Sequence, residues 1–224
     1  GNRNVAEDLS ALLDGLPVLV GNDANVAALG EIWMGAARGC RNAVMVTLGT
    51  GVGGGVIVNG KVIDGVHGAG GEIGHITVNP HETAVCGCGK RGCLEQYSSA
   101  TGVVRCMKKL LEEDPDTPCV LRGTDFAAKD VFDAARSGDV LAAREVDQMT
   151  ATLGMALANI AAVVDPEMFL VGGGVARAGA VLFDPLVAHY RDTAFRSCRD
   201  IPIKAASLGN DAGIYGAVRL IVGA

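Results

Sequence analysis

Residues 43–63 read AVMVTLGTGVGGGVIVNGKVI. Ala43 to Leu48 is an unbroken apolar run, too short for a helix and bounded by glycine, so it reads as a buried strand. Val56-Ile57-Val58 reads as a second strand. Asn59-Gly60 is a hairpin turn into Lys61-Val62-Ile63. The intervening run, Leu48 to Gly55, contains G-x-G-x-x-G at Gly49, Gly51 and Gly54. A dinucleotide-binding fingerprint needs a helix after those glycines, and here a hairpin follows, so that reading fails. A glycine-rich strand–loop–strand carrying Thr50 can still offer N–H groups and a hydroxyl to phosphate. A tight structural turn is the alternative. No Walker A lysine motif occurs in the chain.

Working outward, Asn4 to Asp14 is expected as a helix with Val5, Leu9, Leu12 and Leu13 on one face, ended by Gly15. Pro17 to Val20 is expected as a short strand with Asn22-Asp23 at its C-terminal end, followed by a helix over 25–38. Residues 64–96 are rich in Gly, Cys and His and predict irregular structure. Helices are expected over 98–113 and 127–137. A long helix opens at Gly138-Asp139 and ends at Asp165-Pro166. Met168 to Val171 is a strand running into Gly172-Gly173-Gly174. A helix over 180–196, a strand over 201–205 and a helix over 211–222 complete the chain. Strands alternating with helices make an α/β fold, and the hairpin makes its sheet mixed.

The 224 residues are 49% hydrophobic and 20% charged, enough for a sizeable core and too evenly mixed for disorder. A net charge of -6 without a basic run argues against a nucleic-acid surface in these residues. No apolar stretch is long enough for a membrane span, and no secretory signal opens the chain. Seven cysteines is an odd number, and three of them, Cys86, Cys88 and Cys93, fall within eight residues. That distribution suits a reducing cytoplasm and one metal cluster better than a disulfide framework.

His75, Cys86, Cys88 and Cys93 give H-x10-C-x-C-x4-C. Zinc favours a tetrahedron of thiolate and imidazole ligands. Two cysteines can chelate from one turn, and Gly87, Gly89 and Gly92 let the backbone wrap. Four protein ligands leave no open position, so the predicted zinc is structural. Free cysteines near an unrelated histidine are the alternative. Asp23, at the expected strand end, could accept a proton from a substrate hydroxyl in phosphoryl transfer. Taken alone, Asp23 reads more readily as a helix N-cap for Asn25 onward. Glu72 lies three residues before His75, and Glu95 two after Cys93, so a metal that fixes the loop fixes both acids. Carboxylates held in this way accept hydrogen bonds from vicinal sugar hydroxyls. Solvent exposure is the plain alternative for each.

Asn22-Asp23-Ala24-Asn25, Leu48 to Gly55, Glu72-Ile73-Gly74-His75 and the run Cys86 to Glu95 follow one another in an order that resembles the ROK family of sugar kinases and repressors. Gly172 to Val175, Asp211-Ala212-Gly213 and Gly216-Ala217 fit it too. The resemblance implies an actin-like ATPase (ribonuclease H-like) fold of two α/β lobes, with the first lobe incomplete here. Residues 1–24 would be a remnant of that lobe, 25–208 the large C-terminal lobe with the zinc loop, and 209–224 a helix returning to the first lobe. It further implies ATP-dependent phosphorylation of a hexose, glucose first, with Asp23 as general base. Asn22, Glu72, His75 and Glu95 would hold sugar hydroxyls, and His75 would use one ring nitrogen for zinc and the other for sugar. Thr50 and Gly51 would meet the ATP phosphates, with Mg2+ bridging them, and Gly173 and Gly174 would lie near the nucleoside. A cytoplasmic homodimer is the family's expectation.

The family's first phosphate loop, of Asp-x-Gly-Gly-Thr type, has no match in these residues. They are therefore expected to bind ATP poorly and to expose apolar surface. A sugar-responsive repressor and a catalytically inactive sugar-binding fragment are the competing functions. Fructose, mannose, allose, N-acetylglucosamine and N-acetylmannosamine compete with glucose.

Overall fold

The computed structural model describes residues 3–223. Thirteen elements follow one another: α1 (Val5–Leu12), α2 (Asp23–Met34), β1 (Ala43–Leu48), β2 (Val52–Val58), β3 (Lys61–Val62), α3 (Glu95–Ser98), α4 (Ala100–Glu113), α5 (Ala128–Arg136), α6 (Val140–Val164), β4 (Met168–Gly172), α7 (Ala180–Thr193), β5 (Ile203–Ala205) and α8 (Ala212–Val222). The strands form one mixed sheet in the order β3-β2-β1-β4-β5. The β1–β2 and β2–β3 pairs are antiparallel, and β1–β4 and β4–β5 are parallel. None of the described helices is long and apolar enough to cross a membrane.

The central strands are apolar on both faces because both faces are covered. Alternation sorts their side chains. Val44, Val46, Leu48, Phe169 and Val171 point into a large core shared with α4 to α7. Ala43, Met45, Met168 and Leu170 point the other way, into a smaller core with Ala28 and Leu29 of α2. Each fully buried Val, Leu or Phe contributes roughly 1.5–3 kcal/mol. Helix α8 lies against α2, with Tyr215 edge-on to Trp33 at 6.4 Å and the Arg219 guanidinium 6.0 Å from the Trp33 ring centre.

The glycine run belongs to the sheet rather than to a loop. Strand β2 starts at Val52, so Gly53, Gly54 and Gly55 pair with Thr47, Val46 and Met45. Gly53 and Gly55 face α2, where a Cβ on Gly55 would stand 2.7 Å from Ala28 Cβ and 2.8 Å from the Ala24 carbonyl. Gly54 faces the opposite side, where a Cβ would stand 2.4 Å from the Gly71 carbonyl. Three missing side chains let a helix and a loop approach one strand from both sides.

Several expected boundaries differ. Residues 17–20 form no strand; Leu19 and Val20 are 58% and 63% exposed and meet no partner strand among the described residues. Helix α2 starts at Asp23 and stops at Met34, short of Arg38, because Gly35 turns the chain out. The helix expected from Ser98 is two helices, broken at Ser99, whose hydroxyl accepts the Gly102 N–H at 2.9 Å as a new N-cap. Helix α7 ends at Thr193 and β5 begins at Ile203. The long helix α6 ends with Asp165 in the left-handed region.

Two glutamates are buried. Glu31 closes α2 against the segment before α8: its carboxylate accepts the N–H groups of Ala36 (2.8 Å), Ser207 (2.8 Å) and Leu208 (2.7 Å) and the Ser207 hydroxyl (3.2 Å). Glu145 on α6 has no such partners, and burial pushes its carboxyl up to about 8, only partly offset by Arg105.

Gly55→Ala is expected to cost about 1–3 kcal/mol by forcing α2 off the sheet, read as a lower midpoint in urea unfolding. For Glu145, the native state holds a proton that the unfolded chain releases between about pH 4.5 and 8. Stability therefore falls as pH rises through that window, by on the order of a few kcal/mol. Glu145→Gln is expected to remove that slope, seen by comparing unfolding of both proteins at pH 5 and pH 8.

Candidate active site and metal centre

The cleft lies at the C-terminal end of β1, where α2, the β1–β2 turn and the segment 70–75 converge. Asn22 caps α2, its side-chain oxygen accepting the N–H groups of Ala24 (2.9 Å) and Asn25 (3.2 Å). Asp23 is thus the first helical residue, not a residue at a strand end. It is exposed, with Oδ1 accepting the Ala24 N–H at 2.8 Å. The helix N-terminus favours negative charge there. Because Gly53 and Gly55 admit α2 so closely, that N-terminus sits beside the turn of Gly49 to Gly51, where the Gly49 N–H reaches the Gly51 carbonyl at 3.0 Å.

A cavity of about 410 Å³ is lined by Asn22, Asp23, Gly51, Glu72, His75, Glu95 and Gly173. It gathers all five residues expected to hold or deprotonate sugar. Thr50 and Gly174 open instead on a neighbouring, more apolar cavity of about 640 Å³, walled by Phe132 of α5 and by Val175. Sequence reading does not find Phe132, Lys129 or Arg177 on that wall. Lys129 and Arg136 both pair with Asp133, leaving the wall's cations partly neutralised. Glu95 ties the first cavity to the β1–β2 turn: Oε2 accepts the Val52 N–H at 3.2 Å, and a Cβ on Gly51 would lie 2.3 Å from it.

The four predicted metal ligands meet. One donor atom from each of His75, Cys86, Cys88 and Cys93 lies within 4.8 Å of the others. The Cys86 Sγ to His75 Nδ1 distance is 3.8 Å and the Cys88 to Cys93 Sγ distance 3.6 Å. Ligands about 2.3 Å from a tetrahedral zinc stand ~3.8 Å apart, so the donor set fits that ion. A tight turn shapes it: the Cys86 N–H reaches the Lys90 carbonyl at 2.8 Å and the Gly89 N–H the Cys86 carbonyl at 2.8 Å. As free thiols these groups sit poorly. Burial pushes Cys93 up to about 12 and Cys86 upward, while the Lys90 N–H holds the exposed Cys88 down. A divalent cation would hold all three as thiolates.

His75 points both ways. Nδ1 faces the thiols, and Nε2 lies 3.9 Å from the Glu72 carboxylate on the cavity side. Behind the metal loop, the Tyr97 hydroxyl donates to Glu82 at 2.6 Å, which holds the Glu82 carboxyl down at about 2 with help from the Ala84 N–H and Arg105. Arg105 pairs with Glu82 at 3.0 Å, donates to the Gln96 carbonyl at 2.9 Å and stacks 5.2 Å from the Tyr97 ring centre.

The glucokinase of Halalkalibacterium halodurans is 46% identical over 205 residues, which are 90% of this chain and 62% of that protein. The chain thus spans less than two thirds of that relative's length. A ROK family glucokinase from Streptomyces griseus, solved in complex with glucose and AMPPNP, superposes with a TM-score of 0.82 at 37% identity, covering 96% of this chain and 71% of that one. A ROK family transcriptional regulator, a homologue of E. coli MLC, gives 0.83 at 28% identity over 95% of this chain and 53% of its own. These solved relatives share the expected actin-like ATPase fold. With a ROK family match running over residues 1–223, the chain belongs to the ROK family.

Proposed function

We propose that the whole protein transfers the terminal phosphoryl group of ATP to a hexose, with glucose the preferred substrate. The observation that carries this reading is one cavity lined by Asp23, Glu72, His75 and Glu95, with His75 tied to the thiol cluster on its far side. Asp23 is the general base: one carboxylate oxygen is held by the Ala24 N–H, and the other is free to take the proton of the sugar 6-hydroxyl as that oxygen attacks phosphorus. Asn22, Glu72, His75 and Glu95 accept or donate to the remaining hydroxyls. Thr50 and Gly51 meet the phosphates. Gly173 and Gly174 border the nucleoside: Gly174 opens on the apolar cavity against Phe132, and Gly173 lines the first cavity beside it. Mg2+ on the phosphates supplies charge neutralisation. Zinc, held by His75, Cys86, Cys88 and Cys93, is structural, because a closed set of four protein donors leaves no position for substrate.

Residues 1–24 and 209–224 are assigned to a first lobe and 25–208 to a second; Gly1, Asn2 and Ala224 lie outside the described residues. Helix α1 buries no residue, and Ile214 and Ile221 of α8 are 65% and 74% exposed, which is the surface a further lobe would cover. A cytoplasmic homodimer acting in sugar catabolism completes the proposal. All seven cysteines are free, in keeping with a reducing compartment. The second reading, a sugar-responsive repressor, draws on the likeness to the MLC homologue. Asp23 and Thr50-Gly51 favour the kinase, since a repressor has no need of a base facing a phosphate turn.

In the whole protein, Asp23→Asn is expected to lower kcat by about 10²–10⁴-fold with glucose KM and zinc content little changed, measured by coupled ADP release. Equal turnover in the variant would remove Asp23 from the chemistry. Metal analysis is expected to find one zinc per chain. Cys93→Ser or chelation should release it, lower the melting temperature and weaken glucose binding in calorimetry. A metal-free protein with full glucose affinity would refute the structural role.

A further inference from the structure

A second cleft, of about 340 Å³, lies between α4, α6 and the segment 79–83, apart from the cavity that holds Asp23. Its floor is Glu145, only 2% exposed. Among the described residues no hydrogen bond reaches that carboxyl, and no cation lies within 4 Å; Arg105 acts on it only at longer range. Glu31, equally buried, holds four donors. The charges that face Glu145 are already matched to one another. Arg105 is committed to Glu82, Tyr97 and the Gln96 carbonyl. At the rim, Lys109 pairs with Glu113 at 3.5 Å and Arg144 with Asp114 at 3.7 Å. The neighbouring Cys106 thiol is pushed up to about 11, chiefly by burial, and is neutral. His81, on the outer loop, is exposed and lines the mouth of the cleft.

One buried carboxyl therefore lacks a donor, at the end of an open cleft. Leu110 and Met149 flank it, offering apolar contact to a short methylene stem. We infer that this cleft binds a small molecule through a primary ammonium group seated on the Glu145 carboxylate. An ammonium suits the place better than a guanidinium, because it is a compact charge with three donors rather than a planar fork. Binding converts a buried carboxyl that favours its neutral form into a paired carboxylate, so the ligand is held more firmly as the carboxyl ionises.

The test uses ethanolamine, with ethylene glycol as its uncharged counterpart, titrated into the zinc-loaded protein and followed by backbone amide shifts. Ethanolamine is expected to perturb residues 106–110 and 145–149 in a saturable way, with ethylene glycol at least tenfold weaker. Its affinity should rise about tenfold from pH 6 to 7 and about fivefold more from pH 7 to 8, a range in which an alkyl amine stays protonated. Glu145→Gln, which keeps the shape and removes the charge, should lower affinity at least tenfold and abolish the pH dependence. Equal binding of the two probes would overturn the inference. So would unchanged affinity in Glu145→Gln, a flat pH profile, or shifts confined to the Asp23 cavity. Because the readout lies in α4 and α6, its failure leaves the kinase reading untouched, and loss of kinase activity in Asp23→Asn leaves this site intact.

Discussion

The site depends on how closely three objects crowd one strand. Backbone at Gly53 to Gly55 carries no side chains, so α2 rests on one face of β2 and the 71–73 segment on the other. The strand thereby brings the N-terminus of α2, with Asp23, and the segment carrying Glu72 and His75 to the same end of the sheet. A glycine run in a strand weakens it, since glycine loses more backbone entropy and packs no side chain. The flanking β-branched residues offset part of that: Val52, Val56 and Ile57 are buried, and β1 pairs with β2 over six residues. The sequence feature that looks like a phosphate loop is thus first a packing device. Only the turn of Gly49 to Gly51 is left to face a ligand.

Crowding fixes one side of the cavity, and the thiol–imidazole cluster fixes the other. His75 is reached by a short 3₁₀ turn, Ile73–His75, and Glu95 starts α3 two residues after Cys93. A metal joining them closes a ring through His75, Cys93 and the Thr77–Cys93 bridge. The Val52 N–H on Glu95 then links that ring back to β2. Movement of the Cys86–Cys93 loop would be felt both in the cavity, through His75 and Glu72, and at the β1–β2 turn, through Glu95 against Gly51. Arg105, Glu82 and Tyr97 brace the same loop from behind, so its position is set from both ends rather than by the ion alone.

Periodicity made much of this legible. Strands β1 and β4 and the long α6 stand where apolar runs and the Asp139 cap placed them, because burial on both faces leaves an unmistakable pattern. The cluster of His75, Cys86, Cys88 and Cys93 was legible because its spacing lets four donor atoms meet within 4.8 Å of one another. Strand β2 was partly hidden: three of its seven residues are glycine, which carries no strand preference of its own. Pro17 to Val20 misleads in the opposite direction, since apolarity alone does not supply a neighbouring strand. The wall formed by Phe132 and Lys129 was not legible, because on an amphipathic helix the same residues describe an ordinary core position and an ordinary solvated one.

Buried acids show where sequence reading stops and geometry takes over. Glu31 and Glu145 each sit on a helix among apolar neighbours, and nothing in either heptad separates them. Yet one is a strut: Oε1 accepts the N–H groups of Ser207 and Leu208, some 176 residues away, and Oε2 accepts the Ser207 hydroxyl and the Ala36 N–H. The other is an ionisable group at the end of an open cleft, with no hydrogen bond to its carboxyl among the described residues. An acid satisfied by backbone N–H groups costs little to keep and ties two distant segments together. An acid left without partners lowers stability as pH rises through its titration, a cost that a cation seated before it would offset. That asymmetry, and not the mere presence of a cavity, is what sets the cleft behind the metal loop apart from the other hollows of this surface.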